Sequence, residues 1–505
     1  MISAIMSSRE PTEKFVKGSY YLLLDNLTNY GIGTVFWLVL AKITDPISIG
    51  QSMVVIAFVT SIVGFSGYGI QITLAKYIAE YNARSMPQTA RRVLSFGIKV
   101  ALIMSGGGAL VLSLLSGPLS TVAYQDSSLT VLLIFSILTL FPSQTLVYTL
   151  LGAFRGLHIM KYIVLNDVVF QVSRMAITVV VMVLYGLDAF GILVSFSVAS
   201  IFAMIISYCY FLPRAFPKSN GKEDTNGKEE TIQGVKHLIN FSGLNYLSIG
   251  LKAASVQVGM MVLGTQNFEW AAFFGLALLI SKVLGSFSIS VSEALLPTAS
   301  EQWTKGNKSE LARMVNAAMR ISLFVSGFGF IILMMEPTYF LNLISPSYVE
   351  AAFALQILIV FSVVNAISTI LASLLNGLNR AADVGKIGLF SSVTAIVLTF
   401  ILTPMLGLEG AATAMLIGAV LGLILSLIAL KKEGKMIAYT RSLVTPLTSM
   451  SAGLVIGYFF ILWNNALIGI VLAVLSYAII SMVYHVTTRN ELKGLLGIVV
   501  HTMRR

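Results

Sequence analysis

Apolar runs of about 20 residues, the length needed to cross a hydrocarbon core of about 30 Å, recur along this chain between short polar interruptions. Fourteen such windows can be drawn, at 19–41, 49–72, 93–116, 129–153, 162–185, 189–211, 241–264, 270–294, 315–336, 351–375, 384–404, 409–430, 443–463 and 466–486. Each predicts a membrane-spanning α-helix, because a lone apolar segment satisfies its own backbone groups in lipid only as a helix. One long stretch does not fit a bilayer: PRAFPKSNGKEDTNGKEETIQGVK at 213–236, where almost every position is charged, polar, Gly or Pro. It reads as a solvated linker. Six windows precede it, six follow at nearly the same spacing, and two more close the chain.

Composition sharpens this to a class. Hydrophobic residues make up 56% of the 505 and charged residues 11%, against a usual charged share of about 25% in soluble domains. The chain is an all-α polytopic membrane protein of about 14 helices. Its first window is not a cleavable signal, since Arg9, Glu10, Glu13, Lys14 and Lys17 precede a full-length span without a small-residue cleavage site. Of the 33 Lys and Arg, Lys42 alone falls in the loops on one side, Lys99, Arg174, Lys252 and Lys282 are counted inside spans, and Arg320 and Lys386 are counted with the opposite side as lying near window ends. All the others lie on the opposite side. Cations in short loops are retained in the cytoplasm, so the expected protein is a multi-pass cell-membrane protein with both termini cytoplasmic. The net charge of +11 follows from this topology, with membrane lipid as the partner of the basic rim and no nucleic acid required. Cys209 is alone, which excludes an internal disulfide or a multi-Cys metal site. No cofactor or metal motif is present, and the four His residues all sit at cytoplasmic ends, so no His relay crosses the membrane. Trp37, Trp270 and Trp463 are expected at outer span ends as an interfacial belt.

Sliding the chain on itself by 221 residues aligns its halves. Glu80 meets Glu301, Arg84 meets Lys305, Arg92 meets Arg313, Lys99 meets Arg320, Asp188 meets Glu409 and Arg214 meets Lys435. Gly156-Leu157 falls on Gly377-Leu378 and Gly186-Leu187 on Gly407-Leu408. Apolar identities mean little in so biased a composition; like-charge coincidences mean more. Each copy holds an even number of spans, so the copies enter the membrane in one orientation, as in parallel-repeat transporters. The expected organisation is a six-helix lobe at 1–212, a cytoplasmic linker at 213–236, a second six-helix lobe at 237–432, and two extra helices with a tail at 433–505. Two such lobes leave a cleft that rocking would expose to either side.

The loops LLGAFRGLHIMKYIVLND (150–167) and LLNGLNRAADVGKIG (374–388), the outer loop AKITDPISIGQ (41–51), and the end of span two, GYGIQITLAKYIAEYNAR (67–84), resemble the corresponding stretches of the polysaccharide biosynthesis flippase family. This family is grouped in one superfamily with multidrug and toxin extrusion antiporters and the peptidoglycan lipid II flippases. The resemblance covers spans one to twelve and implies export of a lipid-linked oligosaccharide. Arg155 fits the loop motif, but the second copy has Asn376 there, which points to a role in the turn.

A charge at bilayer depth costs about 2.5 to 3.5 kcal/mol on insertion scales and so faces a cavity or a partner. Asp25, Lys99, Asp167, Arg174, Lys252, Lys282 and Glu293 are such groups. Lys99 lies close enough to its span's end to snorkel. Arg174 and Lys252 lie about twelve residues in, roughly 18 Å of helix. In span seven Asn245, Ser248, Lys252, Ser255 and Gly259 share one helical face, and in span five Asp167, Gln171, Arg174 and Thr178 do the same. Two polar stripes with a central cation are what a site for an anionic head group needs. The candidate substrate-binding residues are therefore Arg174, Lys252, Lys282, Asn245, Ser255 and Gln171; structural pairs Arg174–Asp167 and Lys252–Asp25 are the competing reading. Asp25, with Asn26 and Asn29 in span one, can carry a coupling ion, H⁺ or Na⁺. Pro142 is expected to kink span four.

Three functions compete. The leading one is a flippase moving a polyprenyl-phosphate-linked glycan to the outer leaflet. An organic-cation antiporter would want net negative charge at depth, where this chain is positive, and a non-transporting scaffold of a polysaccharide-synthesis complex has no need of buried charges. An integral-membrane glycosyltransferase lacks support, because no outside loop carries a carboxylate pair.

Overall fold

The computed structural model describes residues 25–84, 86–186, 188–216, 243–431, 440–461, 466–484 and 486. The expected linker beyond residue 216, the N-terminal basic segment, Trp463 and the C-terminal tail lie outside the described residues. Among the described residues every regular element is helical, and eleven helices are long and apolar enough to cross a membrane. In chain order the principal helices are α1 (Gly33–Ile43), α2 (Pro46–Ala83), α3 (Pro87–Pro118), α4 (Ser128–Gly156), α5 (Met160–Tyr185), α6 (Ala189–Ile206), α7 (Gly243–Gly264), α8 (Phe268–Thr304), α9 (Lys308–Met335), α10 (Ala352–Gly377), α11 (Ala381–Lys431), α12 (Thr445–Ile461) and α13 (Ala466–Val483). The described part of each of the fourteen windows lies almost wholly in helical structure, 384–404 and 409–430 in one and the same helix.

α11 accounts for those two windows, since its 51 residues are two spans joined by a tight turn. Gly407 has φ +57°, a conformation that an L side chain resists. Beyond it, a Cβ on Gly410 would stand 2.2 Å from the Leu402 carbonyl oxygen, and one on Gly418 2.6 Å from the Ala395 Cβ. The chain has doubled back on itself.

Local chemistry starts and holds these helices. Asp45 caps α2, its carboxylate accepting from the Ser48 N–H at 2.8 Å with Pro46 in the first turn. Asp188 caps α6 by accepting from the Gly191 N–H at 2.7 Å. Pro142 sits inside a continuous α4, where the Ser143 hydroxyl donates to the Thr139 carbonyl at 2.7 Å.

The 221-residue repeat is visible residue by residue. The left-handed non-glycine residues His158 and Asn379 are repeat-equivalent, as are Gly186 and Gly407, both at positive φ. The turn after α4 donates from the Leu157, His158 and Ile159 N–H groups to the Ala153, Arg155 and Phe154 carbonyls; the turn after α10 repeats all three, from Leu378, Asn379 and Arg380 to Leu374, Asn376 and Leu375. The Arg84–Glu80 ion pair at 2.6 Å has its counterpart in Lys305–Glu301. Gly156 packs on Ile78 of α2, and Gly377 packs on Ala299 of α8, the equivalent pair.

The chain divides into two compact units. One comprises Leu27–Leu276 and Gly388–Gly418, so that α7, the start of α8 and the α11 hairpin group with the helices of the first copy. Inside it Gly50 lies against the Phe268 backbone, Gly64 against Ala253, and Gly388 against Ser248. The other comprises the described parts of Met1–Asn26, Ala277–Ile387 and Ala419–Arg505. Here α12 and α13 meet through small residues, Gly453 and Gly457 against Ala473, the close approach that membrane helices favour. The Tyr477 hydroxyl, fully buried, donates to the Phe324 carbonyl at 3.0 Å and ties α13 to α9.

Candidate functional site

In span one a π-helical segment, Leu27–Ile32, precedes α1. Such segments widen a helix by one residue per turn and often carry function. This one presents Asn29 to α5. The Asn29 amide donates to the Asp167 carboxylate, and its carbonyl accepts from the Gln171 amide at 3.4 Å. Asp167 also accepts from the Asn166 amide at 3.2 Å, and Asn166 in turn accepts from the Ser207 hydroxyl at 2.8 Å. At the other end Arg174 donates to the Gln171 carbonyl oxygen. A continuous chain of polar groups thus runs from Ser207 to Arg174 through three segments of one unit.

Arg174 is 3% exposed and lies among aromatic faces. Its guanidinium carbon sits 3.9 Å from the Phe36 ring centre, 4.6 Å from Phe196 and 5.4 Å from Phe170. A cation over ring faces is stabilised by about 2 kcal/mol or more when desolvated, which helps to offset the insertion cost. The Thr178 hydroxyl donates to the Arg174 carbonyl at 2.8 Å, so the stripe Asp167, Gln171, Arg174 and Thr178 is one connected row. Arg174 makes no ion pair with Asp167; amides stand between them. Its Nε is buried and without a hydrogen-bond partner.

The other candidates fall elsewhere. Lys252 of α7 is exposed while Ser248 and Ser255 on the same stripe are buried, at 5% and 8%. The Ser255 hydroxyl donates to the Lys252 carbonyl at 2.9 Å, and Ser248 is packed against Gly388. Asn245 lies in α7, with its side chain outside the described residues. Lys282 belongs to the other unit, half-buried on α8 above Ser286 and Ser290. Asn26 donates to the Ser290 hydroxyl at 3.0 Å, and Asp25 beside it is 8% exposed. The polar group expected on span one is therefore divided at the start of the π segment: Asn26 bonds to α8, Asn29 to α5. Among the described residues no cluster of His, Cys, Asp and Glu fits a metal ion.

Phe36, Phe196, Asn166 and Ser207 were not legible as site residues. Phe170, four residues before Arg174 on the same helix, carried a signal; the rings from α1 and α6 carried none, being two apolar residues among many. Trp37 departs from the expected interfacial belt. It is 6% exposed and packs on Phe196 with ring centres 5.4 Å apart, because the aromatic cluster beside Arg174 takes up its indole.

Comparison with known proteins places this geometry. Stage V sporulation protein B of Bacillus subtilis is 22% identical over 429 residues, covering 81% of this chain and 82% of that one. An uncharacterized membrane protein of Methanocaldococcus jannaschii is 24% identical over 431 residues, covering 80% and 82%. Among solved structures, the lipid II flippase MurJ in an inward closed conformation superposes with a TM-score of 0.67 at 14% identity, over 93% of this chain and 98% of that one. An inward-facing multidrug resistance MATE family transporter of the MOP superfamily gives 0.62 at 15%, over 83% and 96%. These likenesses show a shared fold. The family model described as polysaccharide biosynthesis protein matches residues 15–303 of the 505, and this chain belongs to that family.

Proposed function

We propose that this protein moves a lipid-linked oligosaccharide, a glycan on a polyprenyl phosphate, from the inner to the outer leaflet by alternating access, with both termini in the cytoplasm. One observation carries the reading. Arg174, Lys252 and Lys282 lie within spans, and within its own unit none of them forms a salt bridge among the described residues. Among the described residues the ion pairs Arg84–Glu80, Lys305–Glu301, Arg313–Glu310 and Arg380–Asp383 lie at helix ends. Cations held at depth without a carboxylate favour an anionic cargo, since phosphate oxygens satisfy such donors in a low-dielectric setting. Membership of the polysaccharide biosynthesis family supports a glycan precursor as that cargo.

Ion coupling is part of the same proposal. Asp25 and Asn29 are the residues expected to carry H⁺ or Na⁺; they fall in different units, and within its own unit Asn29 has the Asp167 carboxylate as its partner.

The test is genetic and then biochemical. Deletion of the gene is expected to leave lipid-linked oligosaccharide on the inner leaflet, and the wild-type gene, but not one encoding Lys282→Ala and Lys252→Ala, is expected to restore export. Raised sensitivity to cationic drugs with normal glycan export would overturn the proposal in favour of an antiporter. Restoration by a transport-dead variant would favour a scaffold.

A further inference from the structure

A groove of about 260 Å³ opens on an exposed apolar surface of the unit containing α3, α4 and α6. Ile98 and Leu102 of α3, Leu146 and Leu150 of α4, Ile205 of α6 and Tyr208 just beyond it line it. Its walls are apolar, and it is open sideways, Leu102 being 50% exposed and Ile205 47%. One wall is irregular for a reason. After Ile206 the helix passes into the π segment Ser207–Phe211, which leaves Tyr208, Cys209 and Tyr210 exposed at consecutive positions while Phe211 is anchored on Tyr162 with ring centres 5.0 Å apart.

The cation-rich end of the groove is charged. Arg91 lies seven residues before Ile98 on the same face of α3, about 10 Å along the helix. It is exposed, and its Nη2 donates to the Phe216 carbonyl at 3.0 Å, which pins the guanidinium beside the chain that leaves α6. Lys99, also exposed, flanks the groove one residue from Ile98. The groove is separate from the Arg174 site. Phe196 covers Arg174 from α6, whereas Ile205 is nine residues on, half a turn round the same helix.

We infer that this groove holds one acyl chain of an anionic phospholipid from the surrounding leaflet, its phosphate against Arg91 and Lys99. An apolar channel open to the bilayer selects hydrocarbon, and a basic mouth at headgroup depth selects negative charge. Its position away from Arg174 assigns it to a resident lipid and not to the transported molecule, so the inference is independent of the proposed function.

The test uses the full chain in phosphatidylcholine nanodiscs containing phosphatidylglycerol with a diazirine in its acyl chain. Light-induced crosslinks are expected in the segments 98–102, 146–150 and 204–209, several times more than with diazirine phosphatidylcholine. Arg91→Gln and Lys99→Gln are expected to lower labelling about fivefold for each cation removed. Leu102→Trp, a half-exposed position, is expected to fill the groove and abolish labelling without changing the melting temperature. Cys209, the chain's single cysteine, lines the groove, and its alkylation by N-ethylmaleimide is expected to slow when phosphatidylglycerol is added. Equal labelling by the two lipids, or labels spread evenly to Leu114 and Val183, would overturn the site. Displacement by an equal concentration of a polyprenyl phosphate would overturn the assignment to a resident phospholipid.

Discussion

The two copies of the repeat agree where the chain turns and disagree in the polar groups at mid-span. Turn geometry, the paired ions at helix ends and the contacts of Gly156 and Gly377 recur at a spacing of 221 residues. The polar row does not recur. Asn29, Asp167, Gln171 and Arg174 correspond to Gly250, Gly388, Ser392 and Ala395, and the rings Phe36 and Phe196 correspond to Gln257 and Ile417. The difference is one of packing as well as charge. Gly250 lies where a Cβ would meet the Phe65 ring at 2.2 Å, and Gly388 where it would meet the Ser248 hydroxyl at 2.5 Å. At the second-copy positions helices close on glycine, α7 on α2 and α11 on α7; at the first-copy positions hydrogen-bonded amides and an arginine stand between them. A duplicated scaffold tolerates this, because the turns determine where helices go and the side chains at mid-span determine only what lies between them.

The largest effects are expected at Arg174. Arg174→Ala removes a buried charge-assisted hydrogen bond worth about 1.5–3 kcal/mol and should cut glycan export about tenfold or more, with membrane levels unchanged on immunoblots. Arg174→Lys should retain part of the activity, because the ammonium lacks the planar fork that reaches several acceptors.

The converse substitution probes the other copy. Ala395→Arg places a cation at the equivalent position, where Ala395 is 5% exposed and packed on Gly418. It should lower the melting temperature in detergent sharply and create no second site, since overpacking alone costs about 1–3 kcal/mol and no aromatic cage awaits the charge. A soluble, well-folded Ala395→Arg protein would mean that the two copies differ less in packing than their contacts imply.

Gly250→Ala is a smaller version of the same test. The Phe65 ring must shift to admit one methyl group, at a cost of about 1–3 kcal/mol, read as a lower unfolding midpoint. In the first copy Gly31 has nothing within 4 Å of an added Cβ, so Gly31→Ala should leave the midpoint unchanged or slightly raised.

The smallest effect belongs to the features that the copies share. Arg84→Ala and Lys305→Ala each break an exposed helix-end pair, and each should change stability by less than about 0.5 kcal/mol in the same melting assay.

The sequence by itself determined the membrane class, the positions of the helices and the 221-residue repeat. These follow from hydropathy, length and spacing, which act locally and survive in a single chain of letters. It also placed Asp167, Gln171, Arg174 and Thr178 on one row, because a helix of known period orders its own faces. Tertiary structure decided what each row met. It joined Asn29 to Asp167 across helices, surrounded Arg174 with rings from α1, α5 and α6, left Lys252 exposed, and placed Lys282 in a different unit. Those outcomes depend on how π segments rotate side chains and on which apolar surfaces interlock. An apolar residue that cages a cation has the same hydropathy as one that faces lipid, so composition and period do not tell the two apart.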